Sequence, residues 1–131
     1  MISERLQLTS SDTAAGSWVG ASALSDAGSA TATFTLAPDG NHGRLSGTHV
    51  LTGSDGTITI ETNAHLRPFP PQERARVEGS WKIVGGTGAY ARFHGQGKVY
   101  ATTDFTTGEI TIVRDGISRE GCAWVEPDCR S

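Results

Sequence analysis

Between Gly79 and Gly116 the chain sets a strand, a glycine turn and two further strands in unbroken succession, an order that an antiparallel sheet accepts and a helix bundle does not. Trp81, Ile83 and Val84 are strand formers, and Gly85, Gly86 and Gly88 follow them where the backbone needs conformations that a Cβ would resist. At least one of the three is expected at positive φ. Lys98 to Phe105 reads as the next strand, Thr106 to Glu109 as a hairpin connection, and Ile110 to Arg114 as the strand that returns. The segment is a β-meander.

The remainder continues the pattern. Ser17 to Leu24 is a strand followed by the turn Ser25 to Gly28, and Ala30 to Leu36 alternates strictly, with Ala30, Ala32, Phe34 and Leu36 on one face and threonines on the other. Pro38-Asp39-Gly40-Asn41 has turn chemistry. Arg44 to Thr52 and Thr57 to Leu66 form a pair of strands around Gly53-Ser54-Asp55-Gly56. Arg67 to Gln72 holds three prolines, which lack ladder donors, and is expected to be an extended loop at one end of the sheet. With Leu6 to Thr9 the count reaches about eight strands, the number at which a small closed barrel just holds side chains or one ligand. The fold class expected is all-β: a single closed antiparallel eight-stranded barrel over residues 1–131, with 121–131 a C-terminal tail.

Charge narrows the partners. Eleven Lys and Arg against fourteen Asp and Glu give a formal net charge of −3 with no basic run, which argues against nucleic acid. No segment approaches the roughly 20 apolar residues of a spanning helix. Glu4 and Arg5 stand where an export signal would show a basic start and then an apolar run, so a cytoplasmic protein is expected. Cys122 and Cys129 lie in the tail and read as reduced thiols in that setting, although a bridge around Pro127 and Asp128 is geometrically open to them. His42, His49, His65 and His94 have no metal-ligand spacing, and the GGTG turn leads into a strand rather than the helix a phosphate loop requires. Neither a metal nor another cofactor is expected.

GGTGAYARFHGQGKV, Gly85 to Val99, resembles the motif shared by allene oxide cyclases and dirigent proteins, and TTDFTTGEITIVRD, Thr102 to Asp115, resembles the dirigent hairpin that follows it. The resemblance implies an eight-stranded barrel that encloses a small hydrophobic molecule and assembles as a homodimer or homotrimer. It implies a cofactor-independent cyclase or isomerase acting on a polyketide, terpenoid or lipid-like substrate. The alternative is a non-catalytic, dirigent-like binding protein. Two positions depart from the pattern. The first-strand glutamate of the cyclases falls by position on Gln7 or Thr9, neither a carboxylate, and His94 precedes Gly95 where dirigent proteins commonly have arginine.

Period-2 geometry divides Thr57 to Leu66 into a face of Thr57, Thr59, Glu61, Asn63 and His65 and a face of Ile58, Ile60, Thr62, Ala64 and Leu66. With the isoleucines inward, the polar face meets water. With the polar face inward near a barrel mouth, Glu61 and His65 become candidates for proton transfer and Asn63 for orienting a carbonyl or hydroxyl. Arg114 shares a face with Ile110 and Ile112 and is the third catalytic candidate, placed either at a mouth to bind a carboxylate or enolate, or snorkelling from the rim. Trp18, Phe34, Trp81 and Tyr100 supply most of the aromatic surface of these strands, to line a cavity or to fill it.

Overall fold

The computed structural model describes residues 2–10, 12–20, 26–39, 42–69, 74–104 and 106–120. Eight strands follow in chain order: β1 (Ile2–Leu8), β2 (Thr13–Gly20), β3 (Ala27–Asp39), β4 (His42–Gly53), β5 (Thr57–Phe69), β6 (Arg74–Gly86), β7 (Phe93–Asp104) and β8 (Glu109–Glu120). Each pairs antiparallel with the next, and β1 pairs with β8 to close an up-and-down barrel. Closure leaves no sheet edge along the paired strands. The tail 121–131, with both cysteines, lies outside the described residues, as do 21–24 of the expected second strand and residues 40 and 41 of the expected turn.

Alternation decides what faces in. Ala30 and Ala32 are buried and Phe34 partly so, while Thr31, Thr33 and Thr35 are exposed. On β5, Ile58, Ile60, Thr62, Ala64 and Leu66 are buried. Each buried isoleucine or leucine contributes about 1.5–3 kcal/mol, so the apolar face sets the phase of the strand. Register slips once, between β5 and β6, where Ile58 opposes Gly86 and Thr59 opposes Gly85 but Ile60 opposes Ile83. Val84 is the extra residue of a β-bulge there.

Most strands begin earlier or run longer than expected: β2 starts at Thr13, β3 takes in Gly28, Pro38 and Asp39 of its two expected turns, β7 starts at Phe93 and β8 runs to Glu120, because ladder pairing with a neighbour carries a strand past its alternating core. β1 begins at Ile2 rather than Leu6, which brings Ile2 and Glu4 onto the inward face with Leu6. β5 runs through Pro68 to Phe69, where an extended loop was expected from Arg67. Among the described residues, β5 pairs with β4 as far as Leu66 opposite Gly43, and with β6 as far as Phe69 opposite Arg74. Residues 70–72 of that loop lie outside the described residues.

The barrel is filled unevenly. One half is packed by Ile2, Trp18, Leu51, Ile58, Ile60, Trp81 and Ile83. Trp18 Nε1 donates to the Thr52 carbonyl and Trp81 Nε1 to the Asp115 carbonyl, each at 3.1 Å, so neither indole buries an orphan donor. That end is closed by the 3-10 turn Gly88–Tyr90, the only helical turn among the described residues. Tyr90 packs edge-on against Phe93, and its hydroxyl donates to Asp26, which also accepts from Ser54 Oγ. These bonds hold the Asp26 carboxyl well below the usual carboxylate range.

In the glycine turn the three residues are not equivalent. Gly88 has φ 62°. A Cβ on Gly86 would run into the Tyr90 carbonyl oxygen, whereas one on Gly85 would meet only Thr59, at 3.8 Å. Valine at Gly88 is therefore expected to cost about 1–3 kcal/mol, and valine at Gly86 to be destabilising as well. Valine at Gly85 is expected to be the mildest of the three. Urea denaturation of the three variants checks the ranking, and equal losses at Gly85 and Gly88 would contradict it.

Candidate functional site

The described residues do not fill the other half of the barrel. A cavity of about 260 Å³ lies between the strand ends joined by the β1–β2, β3–β4, β5–β6 and β7–β8 connections. Its walls are apolar, with Leu6, Ala14, Ala32, Leu66, Val77 and Ile112 among them, and its rim carries the partly exposed Leu8, Phe34, Leu45 and Ile110. Where the cavity meets the packed half, the lining changes to His49, Thr62 and Arg114.

Behind those three stands Glu4. β1 places it on the inward face between Ile2 and Leu6, and neither its side chain nor that of Arg114 has any exposed surface. Arg114 Nη1 and Glu4 Oε2 form an ion pair. Arg114 Nη2 donates to Thr62 Oγ1 at 3.2 Å, and His49 Nδ1 lies 3.2 Å from Glu4 Oε1. Four strands, β1, β4, β5 and β8, thus each contribute one polar side chain to a single layer.

Burial fixes the protonation states. It draws the Arg114 guanidinium down to about 9, so the group stays charged at neutral pH beside the Glu4 carboxylate. It draws His49 down to about 4, so the imidazole is neutral at pH 7. A carboxylate offers no proton, so the neutral ring carries its hydrogen on Nδ1 and turns its lone pair outward on Nε2. Nε2 points toward Gly47, where an added Cβ would sit 3.6 Å away, and it has no hydrogen-bond partner among the described residues. Thr62 accepts from Arg114 and keeps its own hydroxyl proton to donate. Arg114 Nε, buried beside them, also lacks a partner among the described residues.

Of the residues singled out from sequence, Arg114 and Phe34 line this cavity. Arg114 sits at neither a mouth nor the rim; it is fully buried at the cavity floor, because its face carries Ile110 and Ile112 and Glu4 meets its charge. Glu61, Asn63 and His65 lie exposed on the outer face, and Glu61 is 4.0 Å from Lys82 across the strand pair. The inward isoleucines of β5 force that outcome, and the bulge on β6 does not change the phase of β5. Trp18 and Trp81 belong to the packed half, and Tyr100 is 51% exposed outside. An inward first-strand carboxylate does exist: it is Glu4, upstream of Gln7 and Thr9. Reading Ile2-Glu4-Leu6-Leu8 as one alternating face would have found it, and the same period places His49 in phase with Leu45 and Leu51.

Among the described residues no three His, Cys, Asp or Glu side chains come together as a metal-binding group, and no helix is long and apolar enough to cross a membrane. No family model, curated protein or solved structure matches the chain.

Glu4→Gln leaves Arg114 buried without its counter-charge and is expected to cost about 3–5 kcal/mol. Glu61→Gln on the outer face should cost less than about 1 kcal/mol. Equal effects in denaturant titrations would contradict the assignment. His49 supplies a pH signature as well. Between its ordinary value of 6.5 and about 4, the unfolded chain takes up a proton that the folded chain refuses. Stability should therefore fall as pH drops through that window and be unaffected above it. The loss attributable to His49 is about 3 kcal/mol, and His49→Gln should remove it from the stability–pH curve.

Proposed function

We propose that the chain is a cofactor-independent isomerase or cyclase that holds one small hydrophobic molecule in the cavity of the barrel. The observation that carries this reading is the buried layer of Glu4, His49, Thr62 and Arg114 across the floor of an apolar cavity. A charged pair in a core is costly to keep, and here it sits against the floor of the cavity and orders two cavity-lining groups, one a base and one a donor. Its place at the end of a water-poor recess makes both groups stronger than they would be in bulk solvent.

The chemistry follows from the geometry. His49 Nε2 accepts a proton from a carbon beside a carbonyl, and the electron pair of that C–H bond moves onto the carbonyl oxygen. Thr62 donates to the oxygen as its charge grows, with Arg114 holding the hydroxyl in place. Glu4, already on Nδ1, stabilises the imidazolium that forms. Returning the proton to a different carbon completes an isomerisation and consumes nothing. A flexible substrate would close a ring instead, if the walls hold its ends together when charge develops. A relationship to the allene oxide cyclases belongs to the same proposal; it is supported by the eight-stranded barrel and by an inward glutamate on the first strand.

A second reading, a carrier or dirigent-like protein, has one observation in its favour. His49 is held at about 4, which makes it a weak base in the resting barrel. Deuterium exchange separates the two. With 1-tetralone in D₂O followed by NMR, exchange beside the carbonyl should be accelerated by the protein. His49→Gln should lower that acceleration by about a hundredfold or more, and His65→Gln should leave it unchanged. Binding of the ketone with no acceleration would establish the carrier. Association of copies is also part of the proposal, since Val19 and Tyr100 stand exposed outside the barrel. Sedimentation at micromolar concentration should give a dimer or trimer, and a monomer throughout would contradict it.

A further inference from the structure

Resting on the reading of the cavity as a ligand site, we propose that its floor selects an uncharged oxygen group, a hydroxyl or a ketone and its enol, and rejects a carboxylate. The charge balance is the first reason. Glu4 and Arg114 cancel, and among the described residues the cavity lining contains no other Lys or Arg. His49 is neutral in its own right, with Nδ1–H turned to Glu4. A carboxylate pushed down to the floor would leave water and meet no unspent cation, a cost that a neutral oxygen does not carry.

Hydrogen-bond polarity is the second reason. Thr62 has a hydroxyl proton to give because its oxygen already accepts from Arg114. His49 Nε2 has a lone pair and no donor. The floor thus presents one donor and one acceptor, which a hydroxyl or an enol satisfies by accepting from the first and donating to the second. A ketone satisfies the donor and an all-carbon ligand satisfies neither, leaving the floor as unpaired as it is without a ligand.

Size sets the rest of the molecule. A dry apolar cavity of about 150 Å³ takes benzene, so 260 Å³ admits a fused pair of rings or a ring with a short chain. Apart from Thr103, the walls along that body are apolar.

Three ligands on one ring system test the inference in the wild-type protein: naphthalene, 2-naphthol and 2-naphthoate, titrated at pH 7. Shifts of the cavity methyls of Leu6, Leu66, Val77 and Ile112 in NMR spectra would report binding inside the barrel. The naphthol should bind tighter than either of the others by about tenfold, and Thr62→Val should erase most of its advantage over naphthalene while naphthalene itself is little affected. Naphthoate equal to or tighter than naphthol, or naphthalene equal to naphthol, would overturn the head-group selection and leave the cavity reading standing. Failure of all three to shift the cavity methyls would overturn the cavity reading, and this inference with it.

Discussion

The contact between Glu4 and Arg114 is what the interior of this barrel is arranged around. Each charge would be prohibitive alone at that depth, and together they are tolerable only while the geometry stays good. β1 and β8 carry the two residues, and these are the strands whose pairing closes the barrel. The ion pair and the closure are therefore coupled: chain ends that failed to meet would leave an unpaired charge in an apolar core. Whatever that arrangement costs in stability, it gives the cavity a floor of defined polarity.

From the floor the rest divides cleanly. Below it, tryptophans, leucine and isoleucines fill the barrel to the end closed by Tyr90 and Asp26, so that half is rigid packing. Above it the inward positions are smaller. Ala14, Ala32 and Ala101 line this part of the barrel where the packed half has larger side chains, and the space they leave is the cavity. Gly47 opposes Phe34 on one neighbour and Thr62 on the other, and a Cβ there would press on Phe34 and approach Nε2 of His49. Gly47 thus keeps space open beside the candidate base.

The polar layer sets the proton positions of two neutral side chains. Glu4 sets the tautomer of His49, and Arg114 sets the hydroxyl of Thr62. Neither Glu4 nor Arg114 has exposed surface, so in this reading they position and His49 and Thr62 touch the ligand. This division of labour is one that a buried ion pair performs better than a solvated one, because water cannot compete for its hydrogen bonds.

The order of about eight strands, the two faces of the clearest of them and the glycine turn were legible in the sequence, because alternation and turn chemistry are local. Period 2 put Ile58 and Ile60 opposite Glu61 and His65, and set Arg114 with Ile110 and Ile112. The site was not legible, because its members come from β1, β4, β5 and β8, positions 4, 49, 62 and 114, and nothing local says that these four meet. Glu4 read as a charged residue near a terminus and His49 as a lone histidine. Aromatics suggested cavity walls, yet Trp18 and Trp81 proved to be packing and Tyr100 external. Sequence determined which residues of a strand share a face, because alternation is local; only closure of the barrel, with its fixed strand register, decided which face turns inward, at what height each inward residue sits and which of them touch.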